Sequence, residues 1–185
     1  MRPDIQLHSM PLATLGPAGT DAFAVAEQLT LNVIACDTFP EAMKVAEESR
    51  IPALICAGYR EMDRSGFVTD DWSHLHFRYR NSMRVTHVWT QPTKPMCLAV
   101  RDGITYPEQV SSVALHPATS AIANDVLPSA DQIAFRSKPA AVQAANTGQA
   151  DACIGSVDVI TEAGNLHIVE YFSTEMIWCL YEHLR

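Results

Sequence analysis

Apolar and polar residues follow two alternating periods along this chain. Leu12 to Leu15 is a short apolar run that predicts a strand entering a glycine turn. From Thr20 the spacing changes, and Ala22, Phe23, Val25, Ala26 and Leu29 fall on one helical face. Leu31 to Ala35 is β-prone. Thr38-Phe39-Pro40-Glu41 then reads as a helix start, with Pro and Glu in the first turn. Its apolar set, Phe39, Ala42, Met43 and Ala46, keeps the helical spacing, and Ala53 to Cys56 predicts the next strand. Strand alternating with helix in this way predicts a parallel α/β sheet.

The pattern breaks in the middle. Met62 to Trp72 is polar and predicts a loop. Leu75, Phe77 and Tyr79 alternate with His74, His76, Arg78 and Arg80, a period of two that predicts an antiparallel strand or hairpin. Val85, His87 and Trp89 continue it after a turn at Asn81-Ser82, and Gln91-Pro92-Thr93-Lys94-Pro95 predicts a hinge. A second alternation follows. Strands are expected at Met96–Val100 and Val113–Leu115, a helix from Thr119 to Leu127, and another from Pro139 to Ala145, ended by Gly148. Ala152 to Ile154 reads as a strand, Gly155-Ser156 as a turn and Val157 to Ala163 as a helix stopped by Gly164. Leu166–Phe172 and Met176–Tyr181 read as closing strands. This order assigns 1–93 with 165–185 to one lobe and 94–164 to a second.

Composition narrows the partners. The 185 residues are 48% hydrophobic and 18% charged, enough to build a packed core rather than a disordered chain. A formal charge of −8 argues against nucleic acid, whose phosphates need a basic face. The start, MRPDIQLHSMP, lacks a signal-peptide core, and no apolar run reaches membrane-spanning length, so a cytoplasmic protein without a membrane contact is expected. The five cysteines (Cys36, Cys56, Cys97, Cys153, Cys179) are scattered and never form C-x-x-C, which fits reduced thiols.

Candidate chemistry lies in three loops that follow predicted strands: Gly16 to Thr20, His116 to Ser120, and Gly155-Ser156. In Thr14-Leu15-Gly16-Pro17-Ala18-Gly19-Thr20 the backbone donors of Gly19 and Thr20, with the Thr20 hydroxyl, suit an anion at a helix start. His116, with Thr119 and Ser120, offers an imidazole and two hydroxyls. The ring either handles protons near neutral pH or caps backbone groups before Pro117. Tyr59 either orients substrate or is a buried aromatic, and Cys56 reads as an inert apolar residue. Arg60, Arg78, Arg80 and Arg84 are all candidates for a bidentate grip on a carboxylate. His74-x-His76 with nearby His87 would share one strand face, yet no Cys or carboxylate accompanies them, so no metal and no cofactor are expected. If two lobes meet across the hinge, the three loops converge on a cleft for a small anionic carboxylate. The subunit count stays open, a homodimer included.

The succession L-G-P-x-G-T, then H-P-x-x, then A-D-A-C-I-G-S resembles the prephenate dehydratase family from about Leu12 to Tyr181. That resemblance implies a two-lobe, periplasmic-binding-protein-like (type II) α/β fold with a ligand cleft between lobes. Two motifs differ. Where the dehydratases carry P-I-E-N-S, this chain has Cys56-Ala57-Gly58-Tyr59-Arg60. Where they carry Thr-Arg-Phe, it has Ser173-Thr174-Glu175-Met176-Ile177-Trp178. The prephenate decarboxylases of antibiotic pathways, the bacilysin type, also lack Thr-Arg-Phe. This chain is similar to them at His76-Phe77, at Pro95 to Arg101 and at Met176-Ile177-Trp178, while only the Tyr of their Ala-Tyr pair is kept, as Tyr59 after Gly58.

The resemblance implies a lyase acting on prephenate or a related cyclic unsaturated carboxylate in antibiotic biosynthesis, by non-aromatising decarboxylation. His116, Thr20 and Tyr59 would then serve catalysis. Gly19, Thr20, Arg60, Thr119, Ser120, Gly155, Ser156 and Met176 would hold substrate. Two other readings share the fold: a tailoring enzyme for another ring acid or thioester, as in troponoid assembly, and a non-catalytic small-molecule binder.

Overall fold

Three helices of this chain begin by one device, a hydroxyl turned back onto the first helical turn. Thr20, Thr38 and Ser137 accept from the N–H groups of Phe23, Glu41 and Ala140 at 3.2, 3.1 and 3.2 Å. Thr38 is reinforced by Glu41, whose carboxylate accepts from the Asp37 N–H at 2.8 Å. These caps fix where each strand gives way to a helix, so the loops with polar side chains lie at strand ends.

The computed structural model describes residues 5–63, 67–105 and 107–184. The charged start of the chain (1–4) and the centre of the expected polar loop (64–66) lie outside the described residues. The chain forms two units, Met1–Pro92 with Glu175–Arg185, and Thr93–Thr174.

In the first unit, β1 (Leu12–Leu15), β2 (Val33–Cys36) and β3 (Ala53–Cys56) run parallel, linked by α1 (Asp21–Glu27) and α2 (Phe39–Ser49). The sheet is completed by antiparallel β12 (Glu175–His183) and β6 (Met83–Pro92), in the order β2-β1-β3-β12-β6. Leu12, Met43, Leu54, Ile55, Leu180 and Tyr181 form its fully buried centre.

In the second unit, β8 (Ser112–Leu115) lies parallel to both β9 (Asp131–Ala134) and β10 (Ala152–Ser156). Antiparallel β7 (Met96–Arg101) and β11 (Leu166–Phe172) complete the order β11-β7-β10-β8-β9. Helices α4 (Ser120–Val126), α5 (Lys138–Asn146) and α6 (Val157–Ala163) cover it, with separate apolar clusters on the two faces. Gly155 fits because Val142 of α5 and Ile160 of α6 occupy the space a Cβ would need.

Several expectations change. The alternation at Leu75, Phe77 and Tyr79 is no strand but the helix α3 (Trp72–Arg78) and the residue after it. Asp71 caps that helix through the His74 N–H at 2.9 Å, and Trp72 and His76, one turn apart, stack at 5.3 Å. Leu75 enters the core and Tyr79 packs partly buried against it, while Phe77 is 63% exposed. The segment expected as a polar loop holds a hairpin, β4 (Arg60–Met62) with β5 (Val68–Asp71), pairing Arg60 with Asp71 and Glu61 with Asp70.

Gly155 and Ser156 make no turn. They end β10, and α6 follows at once. Strand β9, exposed at every residue, was not anticipated, because its sequence DQIA has no apolar alternation to mark it. Strand β11 pairs with β7 and belongs to the second unit, so the chain returns to the first at Glu175 and not at residue 165. Where the second unit begins and ends, Thr93 donates its N–H to the Thr174 carbonyl at 3.0 Å, and the two hydroxyls bond at 2.9 Å. No helix among the described residues is long and apolar enough to cross a membrane.

Candidate functional site

Ligands of parallel α/β sheets gather at the carboxyl ends of strands, because helix starts and loop donors accumulate there. The residues singled out above fall at such ends, one set in each unit.

In the first unit the Gly16–Thr20 loop follows β1, and Ala57–Arg60 follows the neighbouring β3. Gly16 is required because a Cβ would come within 2.7 Å of the Ala35 Cβ on β2, and Gly19 because its φ is +93°. The Thr20 hydroxyl, expected to face an anion, is already engaged within its own loop. It accepts from Phe23 and lies 3.0 Å from the Pro17 carbonyl and 3.2 Å from that of Leu15. Its first task is therefore to close the loop and cap α1.

Met176 reaches this edge from β12. Its sulfur stands 2.9 Å from where a Cβ on Gly58 would lie, and the Ala57 N–H donates to the Ile177 carbonyl at 2.9 Å. Gly58 itself donates to the Cys56 sulfur at 3.1 Å. So Met176, Gly58 and Cys56 are brought together by pairing of β12 with β3.

Tyr59 packs edge-on against Phe39, the first residue of α2, with ring centroids 5.6 Å apart. Its hydroxyl is buried and faces the carboxylates of Glu61 and Asp70. Burial first, then the carboxylates of Glu61 and Asp70, push its pKa upward, so the phenol stays protonated. Asp70 is itself buried, takes the Asp71 N–H at 3.0 Å and pairs with Arg78 at 3.0 Å. Neither Glu61 nor Asp70 was singled out from sequence. The hairpin register that puts them opposite one another is a tertiary fact, and no local pattern announces it.

The four candidate arginines separate accordingly. Arg78 is committed to Asp70, and Arg80 donates to the Phe77 carbonyl of its own chain segment at 3.1 Å. Arg60 and Arg84 stand exposed, Arg60 on β4 directly after Tyr59.

In the second unit, His116 directly follows β8 and Gly155-Ser156 end the neighbouring parallel β10, so these residues share one edge of the sheet. The His116 Nδ1 accepts from the Ala118 N–H at 3.2 Å. The Thr119 hydroxyl and N–H both donate to the His116 carbonyl, each at 2.8 Å, and Thr119 is buried. Burial first, then the nearby Lys138 ammonium, lower the His116 pKa to about 4. The ring is therefore neutral at pH 7 and carries its proton on Nε2, a hydrogen-bond donor more than a proton shuttle. Of the two readings of His116, backbone capping is visible in its geometry. Ser156 is buried and bonds to the Asp158 carboxylate, which Lys94 reaches at 3.0 Å.

The histidines considered for metal scatter. His74 sits on the exposed side of α3 near Asp70 and Asp71, whereas His76 stacks on Trp72 and meets the Tyr181 hydroxyl at 3.1 Å. His87 contacts the Thr86 hydroxyl on β6. No group of three His, Cys, Asp or Glu suited to a metal occurs among the described residues.

No family model and no curated protein matches the sequence. Solved structures do resemble it. A prephenate dehydratase from Arthrobacter aurescens, crystallised with L-Phe, superposes with a TM-score of 0.60 at 16% identity, over 95% of this chain. The match spans 61% of that enzyme's length. The periplasmic VFT2 domain of BvgS from Bordetella pertussis gives 0.58 at 14% identity, covering 95% of this chain and 80% of the domain. The prephenate dehydratase of Staphylococcus aureus gives 0.52 at 12% identity, covering 94% and 67%. At these identities the likeness is one of fold. This chain has the mixed α/β, two-sheet fold of the prephenate dehydratase and periplasmic-binding-protein type.

Proposed function

We propose that this protein is a lyase that decarboxylates prephenate, or a closely related cyclic unsaturated carboxylate, without making the ring aromatic. The observation that carries the proposal is Tyr59. It is a protonated phenol whose buried hydroxyl faces the carboxylates of Glu61 and Asp70, at the strand-end edge of a fold shared with prephenate dehydratases. The absence of a Thr-Arg-Phe stretch before Trp178 turns the reading away from loss of the hydroxyl group and toward loss of CO₂.

In that reaction the bond between ring carbon and ring carboxylate breaks, and its electron pair enters the conjugated ring. A proton returns at a ring carbon, and the ring hydroxyl stays. The protein must hold the side-chain carboxylate, leave the departing one poorly solvated, and deliver one proton. In this reading Tyr59 is the donor, held neutral by burial and the neighbouring carboxylates. The exposed Arg60 is the counter-charge for the retained carboxylate. Met176 and Gly58 bring an apolar surface to the same strand edge of the first unit. Gly19 and Thr20 contribute by keeping the loop after β1 in place.

The test is incubation of purified protein with prephenate, followed by ultraviolet absorbance and CO₂ release. Release of CO₂ with a non-aromatic dihydro-hydroxyphenylpyruvate supports the reading. Phenylpyruvate would show a dehydratase instead. A second reading keeps the fold, which the BvgS periplasmic VFT2 domain also has, and is binding without turnover. Saturable prephenate binding with no CO₂ would establish it and overturn the first. No interaction with prephenate would redirect attention to other ring acids or thioesters.

A further inference from the structure

An open pocket of about 340 Å³ lies within the second unit, between α4 and the edge strand β11. Residues of α4 line one side, and the end of β11 with Ser173 and Thr174 lines the other. Ile122 and Val126 on the helix and Phe172 on the strand are only partly buried and form its apolar wall. Two carboxylates enter from different elements, Asp125 from α4 and Glu170 from β11, and the 69%-exposed ring of Tyr171 flanks them. No lysine, arginine or histidine is among the lining residues.

We infer that this pocket is a second ligand site, specific for a small primary amine or guanidinium compound with an apolar body. Carboxylates on two sides of an apolar wall attract a cation that can also bury hydrocarbon, and a flanking aromatic ring favours such a cation further. The same field repels a carboxylate. The pocket therefore selects the opposite charge from the site at the strand ends, and the inference does not rest on the reaction proposed there.

The probe is 2-phenylethylamine, titrated into the ¹⁵N-labelled full chain at low salt, with 3-phenylpropionate as its acidic counterpart. Saturable shifts at Ser120–Val126 and Leu166–Phe172, from the amine alone, are expected. Glu170→Gln and Asp125→Asn should each weaken binding about fivefold, and added salt should weaken it as well. Both side chains are exposed, so folded variants are expected, and their amide spectra check this in the same experiment. Equal binding of the acid, shifts elsewhere, or no saturation by millimolar amine in the unaltered chain would overturn the inference. So would indifference of folded double-variant protein to the loss of both carboxylates.

Discussion

The Arg78 guanidinium meets the buried carboxylate of Asp70 at 3.0 Å, tying the end of α3 to the strand that faces Tyr59. One side of that pair is open to water, with the Arg78 side chain 51% exposed, while the carboxylate side is 12% exposed. Removing the cation strands a desolvated anion. Arg78→Met is expected to destabilise the chain by about 2 kcal/mol, less than a fully buried pair would because solvent screens the exposed end. Urea unfolding of Arg78→Met and of the Arg78→Met/Asp70→Asn double variant checks this. The double variant should recover part of the loss, and no recovery would show that the ion pair is not the cause.

Tyr59→Phe separates folding from chemistry. The hydroxyl is buried beside the carboxylates of Glu61 and Asp70, so deleting it should change stability by no more than about 1 kcal/mol. If Tyr59 returns the proton, turnover of prephenate should fall about a hundredfold or more in the same protein. A variant that is both as stable and as active as the parent would remove Tyr59 from the mechanism.

His116 makes a pH prediction. Its pKa is lowered to about 4 in the fold, against an ordinary value of 6.5. Between those values the unfolded chain takes up a proton that the folded chain refuses, so stability falls as pH drops through that window. The loss should reach about 3 kcal/mol near pH 4, and it is absent above about pH 7. His116→Asn keeps an acceptor for the Ala118 N–H and cannot titrate. Its stability should be flatter over this window, and parallel curves would contradict the assignment.

Two glycines at the first strand edge should respond differently to the same added methyl group. A Cβ at Gly16 meets the Ala35 Cβ, fixed to its backbone, at 2.7 Å, so Gly16→Ala should cost about 2 kcal/mol through forced separation of β1 and β2. A Cβ at Gly58 meets mainly the flexible end of Met176, so Gly58→Ala should cost under about 1 kcal/mol and displace the Met176 methyl resonance. Equal losses by thermal unfolding would refute the distinction.

Thr20→Val tests whether the loop after β1 works mainly through its cap. Loss of the bond to Phe23 should cost about 1 kcal/mol, and Thr20→Ser should restore it. Prephenate turnover should follow the same order, since an unfastened loop no longer presents Gly19. Full activity in Thr20→Val would take that loop out of the site.

Most of the strand and helix order was readable in the sequence, and the reasons are local. Thr20, Thr38-Phe39-Pro40-Glu41 and Gly164 mark helix ends by chemistry that acts within one turn. Apolar runs such as Ala53–Cys56 have no stable place except a buried strand. The motif order also led to the fold type that the solved structures share. Local alternation misled where a cap, a stack or a partner strand decided the outcome. Leu75, Phe77 and Tyr79 alternate like a strand, yet the Asp71 cap and the stacking of Trp72 on His76 make a helix. Strand β9 exists because β8 offers it an edge, and β11 joins the second unit because β7 does.

The same division runs through the candidate site. Residue type and position named Tyr59, His116 and Thr20. Burial, the register of Glu61 opposite Asp70, and the caps around Thr20 and His116 decided what their polar atoms are free to do. Sequence sets each group's intrinsic chemistry and its short-range bonds, because those depend on neighbours a few residues away. Solvation and field depend on side chains that only the folded backbone brings near, so they could not be read before it.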